Sequence, residues 1–223
     1  MKKHVLLILL ISIGIRVSVN AQVFVADLPP GHNKIVSAEK EKGLDGSPWL
    51  TESWVPGTVL TIKGETITGL NYRYNVYRNR LYFQSNNTDY VISFPDSISQ
   101  VLMDKKIFVY DNSDPVKGNK RFMEVAVDGK AILYVNYYPV IVPANFNIVL
   151  GTGSPNETVA VKEAYLIKVG RVLTAVDKKG KSILVAFADK NKEVSEFIKK
   201  EKISTKSRED IEKVVRYYNS LQN

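Results

Sequence analysis

The sequence predicts a mainly β protein: an antiparallel meander of roughly ten strands, arranged as a sandwich or an open barrel, followed by two C-terminal α-helices. Three observations carry this. From Gly57 onward apolar residues recur at every second position, as in Leu70, Tyr72, Tyr74 and Val76, so they share one face of an extended chain. Turn residues punctuate the pattern at short intervals, most plainly at Asp128-Gly129. Beyond position 189 the apolar spacing changes to three and four, the period of a helix.

Residues 1–21 have the pattern of an export signal. Lys2, Lys3 and His4 precede an apolar run over 5–15, and Val19-Asn20-Ala21 puts small residues where a signal peptidase reads, so cleavage is expected between Ala21 and Gln22. The run falls short of the roughly 20 apolar residues of a membrane span, and Arg16 closes it. No transmembrane span is expected after processing. Residues 22–56 are expected to be extended or weakly ordered, because 27–33 is rich in Pro and Gly and 38–42 is charged.

Residues 57–188 are expected to form the β-rich domain. Strands over 58–62 and 66–76 flank Lys63-Gly64-Glu65, and Arg78-Asn79 turns the chain into 81–83. Asn86-Asn87-Thr88 turns it again into 90–94, and Pro95-Asp96 breaks that strand before 107–110. Segments 122–127 and 131–138 flank Asp128-Gly129, a sequence suited to a type I′ turn. Segment 139–157 is the longest irregular stretch and is expected to be a surface loop. Strands 172–176 and 183–187 are expected to pair about Lys178-Lys179-Gly180-Lys181. Residues 189–223 then read as a helical pair packed on the sheet. Val194, Phe197 and Ile198 follow a cap at Asp189 or Asn191. Ser207 and Asp210 resemble a capping box ahead of the stripe Ile211, Val214, Val215, Tyr218 and Leu221.

Composition narrows the function classes. The 223 residues hold 31 Lys and Arg, 23 Asp and Glu, two His and no Cys. Disulfides, thiolate nucleophiles, Cys-held metals and a lipidated cysteine are thereby excluded. Loss of Lys2, Lys3 and Arg16 with the leader lowers the net charge from +8 to +5. No concentrated basic block remains, so no nucleic-acid partner is expected.

Each motif that suggests chemistry has a plainer reading. Gly151-Thr152-Gly153-Ser154 with Lys162 echoes a kinase glycine loop, but Asn156 stands where the third glycine belongs and the companion motifs are missing, leaving a loop that leads into a strand. His32 lies in a Pro-Pro-Gly turn, a poor place for a rigidly held base. The carboxylates of 111–114 lack the glycine and closing glutamate of an EF-hand. Glu52, Glu65, Asp89, Asp104, Glu124 and Glu163 are the carboxylates from which a hydrolytic pair would be drawn. No catalytic residue, cofactor or metal ligand is therefore assigned. The nine aromatic residues of 72–110, interleaved with Arg73, Arg78 and Arg80, read first as sheet core and second as a stacking platform.

Several short motifs carry a resemblance. Gly46-Ser47-Pro48-Trp49-Leu50, then Trp54 and Gly57, then Leu70-Asn71-Tyr72-Arg73-Tyr74-Asn75, Leu81-Tyr82-Phe83 and the closing Val215-Arg216-Tyr217-Tyr218-Asn219 resemble a group of exported, uncharacterised Bacteroidota envelope proteins. The resemblance implies an envelope location, periplasmic or at the outer membrane, and a β-rich body with a helical tail. It carries no activity.

The functional expectation is an exported, non-catalytic envelope protein that binds a protein partner, glycan or lipid ligand through a β-rich surface. Its expected surface is the strand face of Arg73 and Asn75 together with the turn from Arg78 to Arg80. A periplasmic lipid carrier built on an open β-meander is the first alternative, and a carboxylate-dependent hydrolase the second.

Overall fold

The computed structural model describes residues 44–85, 88–114 and 118–221. The leader, the Ala21–Gln22 cleavage and His32 lie outside the described residues. Within them, eleven strands form one mixed sheet: β1 (Leu44–Gly46), β2 (Val55–Thr61), β3 (Thr66–Asn75), β4 (Arg80–Ser85), β5 (Thr88–Val91), β6 (Ile98–Met103), β7 (Lys106–Asn112), β8 (Lys120–Val127), β9 (Ala131–Val142), β10 (Glu157–Val169) and β11 (Val172–Ala175). Three α-helices follow: α1 (Lys181–Ala186), α2 (Asn191–Lys200) and α3 (Arg208–Ser220).

Across the sheet the order is β1-β10-β9-β8-β7-β6-β2-β3-β4-β5, with β11 paired to β10. Two antiparallel meanders thus meet at the β2–β6 pair. β1 runs parallel to β10, which makes the sheet mixed rather than wholly antiparallel as the sequence suggested. β1 lies in the segment expected to be extended or weakly ordered, and β6 is a second strand that the alternation did not reveal. Its buried residues Ile98, Val101 and Met103 are spaced by three and then two, because the register shifts where Leu60 and Thr61 of β2 pair with it.

The sheet curls on itself. Tyr74 of β3 meets Phe122 of β8 with ring centroids 5.6 Å apart, although β2, β6 and β7 stand between them in the sheet order. The enclosed space is filled by Tyr72, Tyr74, Phe83, Phe108 and Phe122. Leu70, Tyr72, Tyr74 and Val76 are all buried, as their alternation predicts. Residues 44–50 strap the open side of the curl. β1 rides on β10, and the chain then crosses to β3, where Val76 N donates to the Pro48 carbonyl at 2.8 Å and Leu50 N to the Tyr74 carbonyl at 2.9 Å.

A second core lies alongside the first, where the helices cover Val127, Leu133 and Ile167 of the sheet. Ile211, Val214, Val215 and Tyr218 of α3 are fully buried there, so the predicted stripe docks on the sheet. Segment 183–187 corrects the sequence reading, since it lies in and just after α1 rather than in a strand. Ile183 and Phe187 are four apart, both fully buried, and their spacing suits one face of a helix. Asp177 favours this start by accepting from Lys179 N at 2.6 Å and Ser182 N at 2.7 Å. The cap of α2 is also corrected to Lys190, because Asp189 is engaged by the Tyr218 hydroxyl at 3.1 Å. Ser207 does cap α3, accepting from Asp210 N at 3.4 Å.

The β8–β9 hairpin forms at Asp128-Gly129, but not through a two-residue type I′ turn. Val127 pairs with Leu133, so the connection is longer. Asn219 of α3 holds it, accepting from Ala131 N at 2.8 Å and donating to the Ala131 carbonyl at 2.9 Å and the Asp128 carbonyl at 3.3 Å. Gly129 has φ +147°, and a Cβ there would lie 2.5 Å from Asn219 Nδ2.

Candidate functional site

The expected binding residues divide into two groups. Arg73 projects from β3 over the Trp49 ring, with its guanidinium carbon 4.4 Å from the ring centroid. Its Nε donates to the Thr51 carbonyl at 2.9 Å and Nη2 to the Glu52 carbonyl at 2.7 Å. Burial lowers its pKa, with Glu52 and Asp89 pulling the other way. Asn75 is buried, bridged to Trp49, and its Oδ1 accepts from Arg78 N at 2.8 Å. These two residues anchor the strap and the following turn, so they do not form an open surface as the sequence reading proposed. Arg78 and Arg80 are exposed on that turn.

Two adjoining cavities open beneath the turn and share Asn79 in their walls. One, of about 460 Å³, is lined by Asn79, Ser113, Asp114, Lys120, Arg121 and Asn136 among others. The other, of about 370 Å³, is lined by Asn79, Arg80, Ser93, Pro95, Tyr110 and Phe122 with two aliphatic residues. Asn79 adopts φ +52°, a left-handed conformation that asparagine tolerates better than most residues. Its side chain fixes the turn: Oδ1 accepts from the Tyr74 hydroxyl at 2.8 Å, and Nδ2 donates to the Lys120 carbonyl at 3.0 Å. Burial pushes the Tyr74 phenol up to about 12, so this hydroxyl remains a donor at neutral pH.

The larger cavity holds an unusual pair. Arg121 Nε and Asn136 Oδ1 are buried without a hydrogen-bond partner among the described residues. Asn136 pairs with Met123, two residues from Arg121, so both side chains stand on the same face of the sheet. Arg121 is steered by its Nη2, which donates to the Val76 carbonyl. The residues that carry this unpaired donor and acceptor both line the polar cavity, while the two atoms themselves are buried. Buried groups of this kind are rare in proteins and costly without a partner.

Four of the carboxylates of the hydrolase reading meet an arginine in pairs: Glu52 and Asp89 both act on Arg73, and the other pair lies at Arg208. Glu124 of β8 and Glu163 of β10 both approach Arg208 of α3. Glu124 is buried at the seam between the strand and helix cores, where it takes two guanidinium contacts from Arg208, the Tyr137 hydroxyl at 2.6 Å and Lys106 Nζ at 3.3 Å. Burial alone would raise its pKa. The hydrogen bonds from Arg208 and Tyr137 and the charge of Lys106 outweigh this and leave it below the usual carboxylate value. A carboxylate so held stays ionised and keeps its oxygens occupied, which suits neither a general acid nor a free nucleophile. Asp111 is paired with Lys168 Nζ at 2.6 Å, and no three His, Cys, Asp or Glu side chains among the described residues converge to hold a metal ion. No helix among them is long and apolar enough to cross a membrane.

Comparison with known proteins returns no family model, no curated protein and no solved structure that matches the chain. The site is therefore read from geometry. Sequence reasoning placed a turn at Arg78-Asn79 but gave no role to Arg121 or Asn136. Arg121 and Asn136 belong to different meander strands, and only the curl of the sheet brings Asn79 against Lys120. The available signal was a polar residue, Asn136, inside the apolar strand 131–142.

Proposed function

We propose that this is an exported, non-catalytic envelope protein that binds a glycan in the cavity beneath the Arg78–Arg80 turn. One observation carries the reading: Arg121 and Asn136, which line a cavity of about 460 Å³, keep a buried donor, Nε, and a buried acceptor, Oδ1, with their hydrogen bonds unmade. A hydroxyl both accepts and donates, so sugar hydroxyls suit a wall that offers an unpaired donor and an unpaired acceptor. Arg80, in the adjoining wall, supplies positive charge for an acidic substituent. The volume lies within the usual range for small-molecule sites, about 300–1,000 Å³. The lipid-carrier alternative finds less support, because aromatic rings fill the interior of the curl. The hydrolase alternative finds less support because Glu124 is locked in ion pairs.

Binding of envelope-derived oligosaccharides, read by native mass spectrometry, tests the proposal. The wild-type protein is expected to retain a glycan adduct, and Asn136→Leu to lose it while keeping the wild-type unfolding midpoint within about 1 kcal/mol. Equal adducts from the two proteins would refute the assignment.

A further inference from the structure

The 143–156 loop between β9 and β10 is the most apolar exposed feature of the described surface. Residues 131–156 contain no Asp, Glu, Lys or Arg, in a chain where such residues make up 24%. In the first half of β9 burial explains this. Further along it does not: Ile148 is 86% exposed, Val149 92% and Leu150 69%, with Phe146 and Val142 also exposed behind them.

The loop has a defined internal structure. Asn145 N donates to the Ser154 carbonyl at 2.9 Å and Asn147 N to the Thr152 carbonyl at 2.8 Å. Asn145 Oδ1 accepts from Ser154 N at 2.8 Å. Asn147 Oδ1 accepts from Val149 N at 3.0 Å and Leu150 N at 3.1 Å. Gly153 has φ +93°, and a Cβ there would lie 2.4 Å from the Asn145 carbonyl oxygen, so glycine lets the two arms close. The tip thus turns these backbone donors inward and its apolar side chains outward. An apolar medium demands this arrangement, since it offers no partner to a bare N–H group.

Two features select a lipid bilayer over a protein cleft. The tip is a convex knob, which a fluid can surround without matching its shape. Charge is absent along the whole hairpin and returns only at its root: Ile148-Val149-Leu150 stand at the end, uncharged residues fill 141–147 and 151–156, and Asp45 and Glu157 mark the root. Bilayers likewise keep charge out of the hydrocarbon and admit it at the headgroups and in water.

We propose that the Ile148-Val149-Leu150 tip inserts shallowly into a lipid bilayer and holds the protein on a membrane surface as a peripheral protein. The interaction is apolar, so it depends little on anionic lipid or salt. It rests on the loop alone and not on the glycan cavity.

Flotation with vesicles tests this on the protein as purified from the envelope. Wild type should rise with phosphatidylcholine vesicles, and equally with vesicles containing phosphatidylglycerol. Val149→Asp differs only at the exposed tip and should lower the bound fraction about tenfold or more, with unchanged circular dichroism. Val149→Trp should show a blue-shifted emission that brominated acyl chains quench. Equal flotation of wild type and Val149→Asp without quenching of Val149→Trp would overturn the proposal. So would wild type that stays with the bulk while Val149→Asp dissociates a dimer or abolishes a crosslink to another protein, which would assign the tip to a second copy or a protein cleft.

Discussion

At the scale of single residues, the polar groups inside this protein do different work. Glu124 joins two apolar cores, and its ionised form is favoured by Arg208, Tyr137 and Lys106. Its folded pKa lies below the unfolded value, so its contribution is complete above the unfolded value near pH 4.5 and lost as pH falls through the folded one. Glu124→Gln should therefore cost about 3 kcal/mol at neutral pH, since it removes the buried charge that Arg208 and Lys106 share and leaves Arg208 only Glu212 and Glu163, and it should flatten the acid limb of stability. Urea midpoints of both proteins between neutral and acidic pH check this, and parallel pH profiles would contradict it. Gly129 is tied to Asn219 by contact rather than by turn type. Gly129→Ala should cost more than about 1 kcal/mol, as expected when a special backbone position is strained. A double-mutant cycle with Asn219→Ala should show coupling, because the shortened partner clears space for the new Cβ. Strict additivity would show that the clash is not the cause.

At the scale of elements, legibility in the sequence followed the regularity of each pattern. The strand over Leu70 to Val76 and the stripe of α3 were readable because their spacings are undisturbed over several turns of the period. β6 was hidden by a register shift, and α1 by its brevity, since six residues show little more than one helical turn. The closing Tyr217-Tyr218-Asn219 was legible as a motif but not as a device. Tyr217 stacks on Phe197 with centroids 4.1 Å apart, Tyr218 stacks on Phe187 at 4.0 Å, and Asn219 holds the β8–β9 hairpin. The triplet thus locks α2, the end of α1 and the sheet to α3. Val214→Asp should cost several kcal/mol by burying an unpaired charge in this dry contact, whereas Lys213→Ala, on the open face, should change stability by less than about 0.5 kcal/mol. Thermal denaturation of the two variants separates them, and equal effects would mean that α3 does not depend on the sheet.

At the scale of the whole molecule, the strap and the cavity divide the residues that the sequence grouped together. Arg73 and Asn75 alternate with core tyrosines, so period two places them on the outer side of β3, yet the pattern has no means of showing that Trp49 returns to cover that side. Arg73→Ala should lower stability by about 1–2 kcal/mol through the lost carbonyl contacts and cation–π pairing, while Arg80→Ala should leave the urea midpoint within about 0.5 kcal/mol. The cavity itself was illegible, because its walls come from β8, β9 and the β3–β4 turn, which meet only when the sheet curls. The proposed glycan site is tested most directly by mapping backbone amide chemical shifts during titration with envelope oligosaccharide. Saturable shifts centred on Asn79, Arg121 and Asn136, absent in Asn136→Leu, are the predicted result. Shifts that cluster elsewhere, or none at the highest ligand concentration, would contradict the proposed binding site.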